Sequence, residues 1–172
     1  MRHNGPMATH ESAALRALID DRYADLAARC RAAGVPLHDD AGVAERIRCT
    51  LLASDFAFDV WRRQPQLLSP HGLERLRSGS DASARIGALK LPDDEAACMA
   101  ALRRFRDAEA LRLVFRDVNG LDELAETLSA TSVLYEVLLG AALDWSENTL
   151  AVRYGHSRTH EGELQQIGRA HV

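Results

Sequence analysis

The chain has 172 residues and a formal charge of −4 at pH 7, with 47% hydrophobic and 27% charged residues. That length suits one domain with a packed core, and the composition argues against intrinsic disorder. The acidic balance argues against a nucleic-acid surface, which normally requires a net basic footprint.

Aromatic residues make up only 5%, while Ala, Leu and Arg dominate, a bias toward helices rather than sheets. Lys90 is the one lysine, so nearly all the positive charge is arginine. Cys30, Cys49 and Cys98 are far apart, form no C-x-x-C pair, and read as free thiols of a reducing compartment. No stretch approaches the ~20 apolar residues that span a bilayer, and residues 1–12 lack the apolar core of a signal peptide. The expected location is the cytoplasm.

Residues 1–10 read as a disordered lead-in to a helical region over 11–154. A first helix is predicted over Ser12 to Ala33, because Leu15, Leu18, Ile19, Tyr23, Leu26 and Cys30 recur at helical spacing before Gly34 and Pro36. Asp39 or Asp40 caps a second helix carrying Val43, Ile47, Leu51 and Leu52. Ser54 can cap a new turn leading into Phe56, Val60 and Trp61, and Gln64-Pro65 ends that segment, since the residue before proline avoids the α region. Pro70 to Arg77 makes one short helix, and Ser78 to Lys90, small and polar, reads as a mobile linker. Pro92 suits the first position of a helix reaching Val118, with Asp93, Asp94 and Glu95 on its positive end and Asn119-Gly120 as its stop. A last long helix is predicted from Leu121 to Tyr154, with Leu121, Leu124, Leu128, Tyr135, Leu139 and Ala142 on one stripe and Gly155 as its stop. The expected fold is all-α, a bundle of about five helices with a long C-terminal helix.

The helix beginning at Pro92 carries the most informative detail. At 100° per residue, Cys98, Leu102, Phe105, Ala108 and Phe115 share a face, and Glu109, Arg112 and Arg116 project onto it, while Arg103 and Asp107 point away. Charges on a core-facing stripe are unusual, because an unpaired buried charge is costly. Glu109 lies three residues before Arg112 and seven before Arg116, so one carboxylate can meet both guanidinium groups. Two readings stay open: a structural ion-pair seam, or a docking seam for another domain.

Other candidate chemistry has a simpler reading. His156 and His160 have zinc-like spacing, but they lie in a polar stretch between Gly155 and Gly162 and read as a solvated loop. His38-Asp39-Asp40 reads as a loop and helix cap. No glycine-rich phosphate loop and no G-x-S-x-G is present, and Trp61 and Trp145 read as core or interface anchors. No catalytic, cofactor-binding or metal-ligating residue is assigned.

Three stretches nevertheless carry a resemblance: Leu52 to Leu68 (LASDFAFDVWRRQPQLL), Leu102 to Asp117 (LRRFRDAEALRLVFRD), and Ala141 to Trp145 (AALDW) followed by Arg153-Tyr154-Gly155. Their order and spacing resemble the N-terminal region of the glutamine synthetase adenylyltransferases (glutamate–ammonia-ligase adenylyltransferases), over roughly Val43 to Gln166. The resemblance implies an enzyme that transfers AMP to a tyrosine of glutamine synthetase and removes it by phosphorolysis, using ATP and Mg²⁺ under control of PII signal proteins. In that family the helical region leads into a nucleotidyltransferase domain with a glycine-rich loop and an Asp-x-Asp pair, whose carboxylates hold the metal ions.

Phe115 stands where the family usually has tryptophan, and residues 1–42 correspond only loosely. Residues 155–166 are expected to form the loop toward the nucleotidyltransferase domain, and 167–172 depart from the family pattern and read as an artefactual tail. No catalytic residue of the family has a counterpart here. What carries over is Glu109, Arg112, Arg116 and Asp117, as helix positions supporting the missing domain. The resemblance therefore implies an inactive N-terminal fragment, while the acidic charge and the lack of a spanning apolar stretch argue for no nucleic acid or membrane partner.

An autonomous helical interaction module is the rival reading, and a helix-turn-helix DNA binder, disfavoured by the acidic charge, is a third. The module predicts a closed bundle, whereas the fragment predicts an apolar seam left uncovered.

Overall fold

Short polar side chains at helix starts and left-handed glycines at helix ends divide the chain locally. The computed structural model describes residues 7–37, 40–79 and 81–155, with the side chains of 7–12 excepted. In order come α1 (Met7–Ala32), α2 (Ala41–Ala53), α3 (Asp55–Arg63), a 3₁₀ turn (Pro65–Leu68), α4 (Pro70–Arg77), α5 (Ala82–Gly87), α6 (Glu95–Val118) and α7 (Leu124–Tyr154). The described residues contain no strand, and the fold is all-α.

Asp40 caps α2, its carboxylate accepting from the Val43 N–H at 2.9 Å, and Ser54 caps α3 by accepting from the Ala57 N–H at 3.2 Å. Both satisfy amide donors that a helix start leaves free. Helices α1 and α6 end alike. Gly34 and Gly120 take positive φ, and the next residue's N–H reaches back to a carbonyl in the last turn: Val35 to Cys30, and Leu121 to Arg116, each at 2.8 Å. Val35 and Leu121 then pack on the core, so each stop also sets the direction of the following chain.

The core gathers Leu26 and Cys30 of α1, Ile47 and Leu51 of α2, Val60 and Trp61 of α3, and Leu111 and Phe115 of α6, with Leu67, Leu68, Leu73 and Leu76 beneath them. Trp61 is fully buried and meets Phe115 edge to face, ring centroids 6.5 Å apart. That geometry places a positive ring edge on a negative face. Gly72 permits the tight passage from the 3₁₀ turn into α4, since a Cβ there would lie 2.6 Å from the Gln66 and Leu67 backbone.

Helix α6 is the central element: α2, α3 and α4 pack on it from one side and α7 from another. Leu111 and Phe115 face the main core, while Cys98, Ala101, Leu102 and Leu113 are buried outside that cluster. The Trp145 indole N–H donates to the Pro92 carbonyl at 2.8 Å, pinning the late part of α7 beside the start of α6 and making the two antiparallel.

Several expectations need correction. Helix α1 begins at Met7, inside the stretch read as a lead-in. Residues 82–87 are not linker but helix α5, capped by the Asp81 carboxylate on the Ala84 N–H at 3.0 Å, with Ala82 buried and α7 packed against it. Pro92 precedes α6 by three residues, because Asp94 takes the cap, accepting from Ala97 N–H at 2.8 Å. Helix α7 starts at Leu124 rather than Leu121, since Leu121 completes the α6 stop and Glu123 with Glu126 forms a reciprocal cap.

The largest correction concerns the α7 stripe. Leu124, Leu128, Tyr135 and Leu139 share one stripe by their spacing, and the structure leaves all four exposed. Leu134 is the buried residue of α7, flanked by half-buried Thr131, Leu138, Ala141 and Trp145. The helix is apolar on two sides, so periodicity identifies a stripe without saying which one the neighbours cover.

Candidate functional site

Glu109 and Arg112, carried by α6, are each only 3% exposed. Arg112 donates from Nε to the Glu109 carboxylate at 2.9 Å, one helical turn away. The second guanidinium on that carboxylate is Arg85 of α5, which donates from Nε and Nη2 to the two Glu109 oxygens, both at 2.7 Å. This paired-fork geometry is the strong form of an arginine–carboxylate contact. Arg112 also donates to the Ser78 carbonyl at 3.4 Å, so α5 is held to α6 through the Glu109 carboxylate and the segment before it through Arg112.

Burial pushes the Glu109 carboxyl upward, but the hydrogen bonds and charges of Arg85 and Arg112 outweigh it and hold it below the ordinary range. Burial pulls the Arg112 guanidinium down against the raising effect of Glu109. Both groups remain charged near neutral pH, since arginine does not deprotonate in proteins.

Arg116 does not join Glu109, contrary to the spacing argument. It turns to Asp122, donating from Nε at 2.7 Å, and to the Leu121 and Arg77 carbonyls. The chain reverses at Gly120, which brings a carboxylate six residues later closer than the one seven residues earlier. The Arg116 bond to Asp122 raises the guanidinium and lowers the Asp122 carboxyl from their ordinary values. Asp117 is exposed. Asp107 points away from the Glu109 face of α6, as its spacing predicts, yet it is buried too: it is 8% exposed and accepts from Arg63 of α3 at 3.3 Å and from neighbouring Arg106.

The missed members of this seam are Arg85, Asp107 and Asp122. Asp81, a good cap before a short run of helix formers, is the local signal that could have found α5. The pairing of Arg85 with a residue 24 positions later had no local signal.

Burial raises the Cys30 and Cys98 thiols from their ordinary value, and all three described cysteines are free. Asp40 serves as the α2 cap, while His38, Asp39, His156 and His160 lie outside the described residues. Among the described residues no group of three or more His, Cys, Asp or Glu side chains could hold a metal ion. No described helix is long and apolar enough to cross a membrane. What the arrangement does chemically is fix helices: Glu109 ties Arg85 of α5 to α6, and Asp122 ties Arg116 to the turn after α6.

The family model described as glutamate-ammonia ligase adenylyltransferase matches residues 44–168, a span that includes both halves of the seam and all of α6 and α7. The chain belongs to that family. Among curated relatives, the bifunctional glutamine synthetase adenylyltransferase/adenylyl-removing enzyme of Xanthomonas campestris pv. campestris strain B100 is 36% identical over 116 residues, covering 67% of this chain and 12% of the relative. The protein of the same description from Stenotrophomonas maltophilia strain K279a is 36% identical over 117 residues, with the same coverage. That from Thioalkalivibrio sulfidiphilus is 33% identical over 123 residues, covering 66% and 12%. The chain thus spans about an eighth of the length of these family members. No solved structure matches it significantly.

Proposed function

We propose that this chain is the N-terminal helical scaffold of a bifunctional glutamine synthetase adenylyltransferase and deadenylylase. The observation that carries the reading is the family match through α2 to α7 combined with coverage of only 12% of the relatives. In the whole protein, ATP and Mg²⁺ would serve a nucleotidyltransferase domain that adds AMP to glutamine synthetase and removes it, in the cytoplasm and under PII control. The 172 residues themselves would do neither reaction. Glu109 and Arg112 would act here by locking α5 to α6, and Arg116 by holding the turn between α6 and α7, giving the catalytic domain a rigid base.

The exposed apolar side of α7 favours this reading over a self-contained interaction module, for which a closed bundle is expected. The direct test incubates the purified chain with labelled ATP, Mg²⁺ and glutamine synthetase. No label should enter glutamine synthetase, and robust transfer would overturn the scaffold reading. Genomic sequence across the codons for Leu164 to Val172 supplies the complementary check: a frame that runs on into a glycine-rich loop and paired aspartates supports it.

A further inference from the structure

Helix α7 carries a second apolar ridge that nothing in the described structure covers. Leu124, Leu128, Tyr135, Leu139, Leu143 and Leu150 are between 41% and 71% exposed. At 100° per residue they fall within one sector, and from first to last they extend about 39 Å. Scattered exposed leucines are ordinary, but an aligned ridge of six on one helix marks a contact surface. It lies off the side of α7 that carries Leu134 and Trp145 and packs on α6.

The charge along this ridge indicates what kind of surface fits it. Glu136 and Glu147 lie along one edge, the uncharged Thr131 and Ala142 along the other, and the single base of α7, Arg153, sits in its last turn. A second copy is a poor occupant. Two-fold antiparallel pairing through the ridge, whose midpoint falls beside Glu136, would bring Glu136 close to Glu136 of the other copy, and like charges at an interface disfavour association. A helix with its own apolar ridge and an arginine or lysine edge would complement both features.

We propose that the Leu124–Leu150 ridge docks such a basic-edged amphipathic helix, supplied by the part of the longer family proteins that this chain does not span. The inference rests on the scaffold reading, and on relatives of which this chain covers only 12%. It assigns a specific surface and partner chemistry to the join between scaffold and remainder.

Two synthetic peptides of about 18 residues, or five helical turns, test the chemistry against the full 172-residue chain. Both carry a leucine ridge; one has arginine edges and the other glutamate edges. Fluorescence anisotropy should show the arginine-edged peptide binding about tenfold tighter or more. The double substitution Leu128→Ser with Leu139→Ser should remove that binding while the helical circular dichroism stays unchanged. Glu136→Lys with Glu147→Lys should invert the preference between the peptides. Equal affinity for both peptides, or binding indifferent to the ridge substitutions, overturns the proposal. A light-scattering mass of twice the monomer that reverts on Leu139→Glu also overturns it, because a second copy is then the occupant.

Hydrogen exchange tests the source. The matching helix in the full-length Xanthomonas campestris relative should exchange at least about tenfold more slowly than α7 of this chain; equal rates overturn an occupant within the same polypeptide. These readouts are independent of AMP transfer. Transfer by the chain alone defeats the scaffold reading, whereas a failed peptide or exchange test defeats only the docking surface.

Discussion

The region around Trp61 and the C-terminal helix α7 are built from similar residues, yet they bury them to opposite degrees. Around Trp61, six elements converge on one point, so leucines from α1, α2, α4 and the 3₁₀ turn are covered on every side by Phe115, Val60 and one another. Helix α7 is 31 residues long and touches mainly α5 and α6, leaving Leu134 as its one fully buried large side chain among the described residues. The lesson is that apolar content alone does not make a core: enclosure does, and a long helix with two neighbours encloses only part of itself.

Substitutions should affect the enclosed core and the open helix very differently. The largest effect is expected at Trp61→Ala, which removes a fully buried ring and its edge-to-face partner and should cost about 3–5 kcal/mol in urea unfolding. Glu109→Gln should cost about 3 kcal/mol by the same measurement, because Arg85 and Arg112 would lose their shared counter-charge in a buried place.

Glu109 also gives a pH signature. Its folded carboxyl is held below the ordinary value of 4.5, so its contribution is fully present above that value. The contribution is lost as pH falls through the depressed folded value, and Asp122 acts in the same sense below 3.8. Thermal melts of the native chain should therefore fall steeply on acidification below about pH 4.5, and Glu109→Gln should flatten that limb.

Gly72→Ala should destabilise by about 1–3 kcal/mol through overpacking against the Gln66 and Leu67 backbone, seen as a lower denaturation midpoint. Ser54→Ala should cost about 1 kcal/mol by removing the α3 cap. Leu139→Ser marks the opposite end of the scale, with a change within about 0.5 kcal/mol, yet it should reduce binding of an apolar dye. A loss at Leu139 as large as that at Trp61 would show that α7 is enclosed in solution and would erase the contrast.

Local features carried much of the architecture. The Asp40 and Ser54 caps, the stop before Gly120, the end of α3 at Gln64-Pro65 and the Pro70–Arg77 helix all follow from residues within a few positions of each other. The seam was legible only in part. Glu109 and Arg112 sit one turn apart on a single helix, but Arg116 chose Asp122 because a glycine turn reversed the chain between them. Arg85 was hidden in a polar stretch that looks like linker and becomes helix through its pairing with Glu109 and its packing on α7.

The all-helical character, the stops of most helices and the family resemblance can be read from the chain alone, because capping, helical periodicity and motif order are recorded over short spans. Tertiary structure alone decided which of α7's two apolar sides faces inward, which carboxylate each arginine meets, and that residues 82–87 fold. Those choices depend on which distant surfaces arrive at the same place, and helix periodicity fixes only an angle around an axis, not the neighbour that fills it.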